Sequence, residues 1–271
     1  MWNDGKILTL DIDEVKLEGR CFGPAPDSAP TVVLLHEGLG SIALWRDFPE
    51  KLARVTGYGV FAFSRRGYGQ SDPAILPRPL DYMTSEAVDA LPKVLDAIGF
   101  RSGVLVGHSD GASIAAIYGG SVQDHRVRGL VLMAPHFFTE KVGLASIETA
   151  RAAYETGELR ARLGKYHKDV DNAFFGWADA WLDPAFKDWN IEEVIAYIRV
   201  PVLAIQGVDD QYGTRAQIEA LETQSYNPVD VAMLADCGHG PHVEQPEKTL
   251  ALLVDYLKRL DRIEAAKAET A

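Results

Sequence analysis

Hydrophobic positions fall into short runs, separated by glycine-rich loops and by longer stretches with helical spacing. The first two segments, KILTLDID and VKLEGRCFG, alternate apolar and polar residues, the period of half-buried strands, and predict a hairpin. PDSAP then breaks the chain. TVVLLHEGLG and GVFAFSRRGYGQSD each pass from an apolar run into a glycine-rich loop. TSEAVDALPKVLDAIGF has helical spacing, with Thr84 or Ser85 as its N-cap. SGVLVGHSDG reads as a strand running into a turn, and ASIAAIYGG as a helix of small residues. VRGLVLMAPHFF, VPVLAIQGVDD and VDVAMLADCGHG supply three further strands. PEKTLALLVDYLKRLDRI is the closing helix, which the alanine- and charge-rich tail continues.

Most of these strands are apolar nearly throughout, as strands covered by helices on both faces must be. Strands alternating with helices predict an α/β protein built on a doubly wound, mostly parallel sheet. Ligands of such sheets bind at the carboxyl ends of the strands, where every glycine-rich loop noted above falls. One region departs from the rhythm. Between about His136 and Ile195 there are helical pieces but no buried strand, and AFFGWADAWLDPAFKDW crowds aromatics among charges. Phe174, Trp177, Trp181 and Trp189 could form the core of an amphipathic helix pair. Placed between two strand ends, the region reads better as a lid over an apolar pocket. The expected division is a core domain of residues 1–135 and 196–271, with a helical cap of 136–195 inserted after the sixth strand.

Composition narrows the function. The 271 residues are 47% hydrophobic, enough for a substantial core, and carry a net charge of -12. That acidity argues against a nucleic-acid partner. Two cysteines, Cys21 and Cys237, make neither a disulfide framework nor a zinc site. The first residues lack a basic n-region and a long apolar stretch, and no apolar run approaches the roughly 20 residues of a membrane span. The expectation is a cytoplasmic protein, monomer or homodimer, acting on a small molecule, with no membrane partner. The histidines lack metal-ligand spacing, so no metal is expected. The glycine-rich RRGYGQS lacks the G-K-[ST] ending of a phosphate loop.

Candidate chemistry centres on VGHSDGASI, Val106 to Ile114. A G-x-S-x-G pattern is weak alone. Here it follows a strand and opens a helix, the setting of a nucleophile elbow. Gly107 and Gly111 permit the tight turn, since a Cβ at either would strike the neighbouring strand or helix. A serine hydroxyl needs a base, and the base an orienting acid. Later strand ends supply Asp209 and Asp210, then His239 and His242, in the chain order Ser, Asp, His.

On LLHEGLG, SRRGYGQSD, GHSDG, IQGVDDQYG and CGHGPHVEQPE, nearly the whole chain resembles the α/β-hydrolase superfamily. The resemblance implies Ser109 as nucleophile. It places the acid at Asp210, three residues after Gly207, with Asp209 as runner-up, and the base at His239, with His242 as a packed or hydrogen-bonded neighbour. It implies an oxyanion hole from the N–H groups of Asp110 and, after TVVLLH, Gly38, with Glu37 or Leu39 as alternatives. His36-Glu37 replaces the usual His-Gly there.

The carboxyls of Glu37 and Asp110 are expected to turn away and cap local backbone donors; the alternative is that they repel anionic substrates or tune the pocket. Ser64, Arg65 and Arg66 are expected to tie their loop to the sheet, although an arginine pair near the pocket could hold a substrate carboxylate. His108 should pack away from the pocket. Candidate substrate contacts are Glu37, Leu39, His136, Phe137, Trp177 and Trp181, with a packing or solvent-facing role the stronger expectation for His136. His125 and His167 offer nothing specific.

The implied activity is hydrolysis of an ester, lactone or thioester of a small, partly apolar or aromatic acyl compound through an acyl-enzyme, without a cofactor. A serine argues against epoxide hydrolysis and haloalkane dehalogenation, which relatives perform with an aspartate. Hydrolysis of carbon–carbon bonds in dienoic diketones, a perhydrolase side activity, and a small-molecule receptor on the hydrolase fold are the alternatives.

Overall fold

A computed structural model describes residues 2–270. Its strands are β1 (Ile7–Ile12), β2 (Val15–Phe22), β3 (Thr31–Leu35), β4 (Gly59–Phe63), β5 (Gly103–His108), β6 (Val127–Met133), β7 (Val202–Gly207) and β8 (Val229–Leu234). They form one sheet in the order β1-β2-β4-β3-β5-β6-β7-β8. The β1–β2 hairpin is antiparallel and joins β4 antiparallel; every other pairing is parallel. The doubly wound sheet expected from the sequence is therefore the architecture observed. Its strand order reverses around β3, which lies between β4 and β5, and a crevice opens there at the carboxyl ends.

Two cores flank the sheet, and alternate residues of each central strand feed opposite ones. Val33, Leu35, Leu105, Leu130 and Leu132 enter one core. Val32, Leu34, Val104, Val106, Val131 and Met133 enter the other. Burial on both faces is why these strands read as unbroken apolar runs. Helices α1 (Phe48–Thr56) and α10 (Pro246–Thr270) contribute to the second core. The first core is covered by α2 (Tyr82–Ser85), α3 (Leu91–Ala97), α4 (Asp110–Ser121) and the segment that follows β6.

Thr84 and Ser85 do not cap a helix. The helix starts at Tyr82, because Tyr82 and Met83 are buried and extend the apolar stripe by a turn. Between α2 and α3 the ladder widens, with the Leu91 N–H reaching back to the Glu86 carbonyl. Pro92, which has no N–H to offer the ladder, follows directly.

Between β6 and β7 the chain is helical: α5 (Lys141–Glu155), α6 (Glu158–Leu163) and α7 (Val170–Trp181), then two short 3-10 turns. Phe174 stacks on Tyr154 with ring centroids 3.8 Å apart, and Trp189 stacks on Phe186 at 5.2 Å. These pairs pack the segment internally and are continuous with the first core. The remaining helices are α8 (Arg215–Gln224) and α9 (Pro241–Glu244). Among the described residues, no helix is long and apolar enough to cross a membrane.

Candidate active site

Ser109 is the residue between β5 and α4, with φ 54° and ψ -121°. Only an over-determined turn holds a non-glycine residue there, at a cost of about 1–3 kcal/mol. Two glycines make the turn possible. A Cβ on Gly107 would overlap the Gly111 carbonyl, and one on Gly111 would overlap the Leu35 carbonyl of β3. Elbow, helix and neighbouring strand thus touch backbone to backbone, and the serine side chain is carried to the crevice.

A cavity of about 110 Å³ opens at the switch point. Ser109, Asp110 and His239 line it with Gly38 and Leu39 from the β3 loop. Ile147 of α5 and Trp177 and Trp181 of α7 supply an apolar wall. His136, Tyr212, Glu37 and Gly143 complete the lining.

His239 follows β8, and its Nδ1 lies 2.8 Å and 3.0 Å from the two oxygens of Asp210. A carboxylate only accepts, so Nδ1 carries a proton, and in the neutral ring the free lone pair is on Nε2. Asp210 also accepts from the backbone N–H groups of Tyr212 and Gly213 and from Gln206 Nε2. Its side chain is 1% exposed. Burial opposes its ionisation, but His239 and the Tyr212 N–H outweigh that and hold the carboxyl below its ordinary range. Asp209 is exposed. Of the two aspartates, Asp210 meets the histidine.

The carboxyls flanking the nucleophile do not cap backbone donors as expected. Glu37 faces His108, its Oε2 3.4 Å from Nδ1. Asp110 is 1% exposed and accepts from the Tyr82 hydroxyl at 2.5 Å, and that hydroxyl accepts from Trp181 Nε1 at 3.0 Å. The other Asp110 oxygen has no partner among the described residues. Burial pushes this carboxyl above its ordinary range, against the Arg65 charge and the Tyr82 hydrogen bond.

His108 is buried and lies outside the cavity lining, but it does more than pack: Nε2 lies 2.7 Å from the His239 carbonyl. His136 is buried yet lines the cavity, its ring edge-on to Trp181 at 5.3 Å. Burial, then the His239 charge, push its pKa down to about 3, so the ring is neutral. His242 packs on Trp45 and Phe48 as a buried neighbour, also pushed down to about 3.

Phe137 is not a cavity residue. It is fully buried in the core, with its N–H on Gln217 Oε1, because the turn after β6 at Ala134 (φ 47°) gives the cavity to His136 instead. The loop residues after β4 are structural. Ser64 Oγ donates to Glu18, Arg65 donates to the His36 and Glu37 carbonyls, and Arg66 donates to the Pro73 carbonyl. Neither arginine lines the cavity, so no carboxylate clamp forms there.

Tyr212, two residues after the acid, sets its ring against His239 at 4.7 Å, tilted by 49°. Two features escaped the sequence reading. His167, before α7, accepts from the Gly69 N–H and donates to the Leu39 carbonyl, tying the helical segment to the β3 loop. Gly143 lets α5 approach the Tyr212 carbonyl, where Ser146 also donates to the Gln211 carbonyl. Each joins positions far apart in the chain, and only the Ser-Asp-His order gave such a join a local signature.

A family model described as alpha/beta hydrolase fold matches residues 30–154. Epoxide hydrolase 3 of Siraitia grosvenorii is 31% identical over 150 residues, 54% of this chain and 44% of that protein. Epoxide hydrolase B of Mycobacterium tuberculosis is 29% identical over 227 residues, 82% of this chain and 60% of that protein. The matched region thus spans about half the length of these relatives. Among solved structures, the meta-cleavage product hydrolase of Pseudomonas fluorescens IP01 superposes with a TM-score of 0.74 at 20% identity, covering 93% of this chain and 97% of that one. That likeness is one of fold.

Proposed function

The chain belongs to the α/β-hydrolase superfamily, and from that premise we propose that it is a serine hydrolase cleaving an ester, lactone or thioester of a small, partly apolar or aromatic acyl compound. One observation carries this reading: Ser109, on its strained turn, shares a cavity with an imidazole that Asp210 holds at 2.8 Å in the tautomer a base requires. The curated relatives are named for epoxide hydrolysis, and members of the superfamily do that with an aspartate. In this chain the elbow residue is serine. The neighbouring acid, Asp110, is buried and hydrogen-bonded to Tyr82, which leaves it poorly placed as a nucleophile.

In the proposed cycle Ser109 Oγ bonds to the substrate carbonyl carbon as His239 Nε2 takes its proton. Asp210 keeps the Nδ1 proton and stabilises the imidazolium. The backbone N–H groups of Asp110 and Gly38 receive the charge developing on the carbonyl oxygen. The leaving group departs with the proton from His239. Water, deprotonated by the same imidazole, then releases the acyl group.

The helical segment of residues 136–195 serves as the cap. Leu39, Ile147, Trp177 and Trp181 hold the acyl group, while Glu37 and His136 meet its polar edge. A cavity of about 110 Å³ suits a compact group better than a polymer.

Turnover across a panel of aryl esters, lactones, thioesters and dienoic diketones tests the reading. Multiple turnover on esters, lactones or thioesters supports it. Activity confined to carbon–carbon substrates replaces it with that reaction. At most one slow event per chain makes the protein a receptor.

A further inference from the structure

Glu37 and His108 form a second arrangement around the base, and it rests on the reading of His239 as that base. His108 Nε2 lies 2.7 Å from the His239 backbone carbonyl, and Nδ1 lies 3.4 Å from Glu37 Oε2. A carbonyl only accepts, so Nε2 carries a proton. An ionised carboxylate also only accepts. A neutral ring would therefore set the Nδ1 lone pair against an anionic oxygen, inside a site where the His108 side chain is 5% exposed. A proton between Nδ1 and Oε2 removes that conflict.

We propose that Glu37 and His108 are an ion pair, buried on the histidine side and open to the cavity on the carboxylate side, that positions the base, with imidazolium 108 fixing the His239 backbone while Asp210 fixes its ring.

The surroundings fit one cation and one anion. The other groups facing His108 are the rings of His239 at 5.1 Å and His242 at 4.9 Å, with His136 and the Asp210 carboxylate further off. His136 and His242 are held neutral by burial, so neither competes for the charge of Glu37. Burial works against a charged His108, but the Glu37 hydrogen bond and charge overcome it and raise the ring above its ordinary value. Glu37 is in turn held below the usual carboxylate range.

The loop has the space this needs: a Cβ on Gly40 would overlap Glu37 Oε2, so the glycine makes room for the carboxylate. The backbone on either side of Glu37 is pinned by Arg65, which donates to the carbonyls of His36 and Glu37. Both members of the pair are thereby set by the fold. The Glu37 of His36-Glu37-Gly38, a departure from the superfamily's usual His-Gly, acquires a role that a glycine could not fill.

The test is imidazole nitrogen NMR on the whole protein, with kinetics on three variants. In the wild type at pH 7, His108 should show both ring nitrogens protonated; a neutral His108 overturns the proposal without any variant. In Glu37→Gln the Nδ1 proton should be lost and kcat should fall by about a hundredfold, as expected when a reacting group shifts slightly; KM is read on His108→Leu, whose side chain lies outside the cavity lining, and should stay nearly unchanged there. His108→Leu should lose as much. His108→Gln, which keeps a donor for the His239 carbonyl, should recover part of that loss. An unchanged imidazolium in Glu37→Gln, or full kcat in His108→Leu, overturns it. Fluorophosphonate labelling of Ser109 in the wild type separates the two readings: if labelling fails, the serine hydrolase reading falls, while the NMR result on the pair still stands or falls by itself.

Discussion

The indole of Trp177 lies against the Cα of Gly38 so closely that a Cβ built there would overlap its Nε1 and Cδ1. A helix of the β6–β7 segment and the loop that should supply an oxyanion donor are thus in direct contact. Gly38→Ala should force one of them to move. If the loop moves, turnover should fall by about 10²–10³-fold, the cost of one displaced donor, with a change in tryptophan fluorescence. Adding Trp177→Ala returns the space and should restore part of the rate. Wild-type turnover in Gly38→Ala with the loop displaced, as judged from the variant's structure, would show that Gly38 gives no donor.

Asp210→Asn should lower kcat by about 10⁴-fold, because an amide favours the wrong histidine tautomer. Asp209→Asn should change it little, since that side chain is exposed and the residue's N–H donates to the Cys237 carbonyl. Steady-state rates of the two variants decide the matter, and the reverse order would move the acid.

The sequence carried the fold because its strands are buried on both faces and its loops break at glycines, both local signals. The elbow was legible for the same reason: the clashes at Gly107 and Gly111 are properties of one short turn. Asp210 over Asp209 came from resemblance, and Asp210 is the aspartate that lies 2.8 Å from His239 Nδ1. The side-chain directions of Glu37, Asp110 and Phe137 were not legible. Each depends on a partner far away in the chain: His108, Tyr82 and Gln217 respectively. No periodicity reports such meetings, and the same holds for His167 bridging Gly69 and Leu39.

Stability should fall on the acid side. His136 and His242 are neutral when folded, with pKa values near about 3, whereas an unfolded imidazole titrates near about 6.5. Below that pH the unfolded chain binds protons that the folded chain refuses. Stability is therefore full above about 6.5 and is lost as pH drops toward 3, by at most about 1.4 kcal/mol per pH unit for each ring. His242→Phe, whose ring fits against Trp45 and Phe48, should make the fall shallower. Urea unfolding at pH 7.5 and 5 checks this; equal slopes in both proteins would refute it.

Tyr82→Phe removes the hydroxyl that donates to Asp110 and accepts from Trp181. The carboxyl then loses its hydroxyl donor, and the indole N–H loses that acceptor, with the carboxyl itself as the alternative. Losing a buried hydrogen bond of this kind costs about 1–3 kcal/mol. Thermal unfolding should show a lower midpoint, and an unchanged midpoint would mean that water or another group replaces the hydroxyl.

The central claim is that Ser109 is a hydroxyl made nucleophilic by His239. Intact-mass and peptide analysis after exposure to a fluorophosphonate tests it most directly. One adduct per chain is expected, on the peptide carrying Ser109, absent in Ser109→Ala and strongly slowed in His239→Ala. Labelling that persists in Ser109→Ala, or that is indifferent to His239, would contradict it.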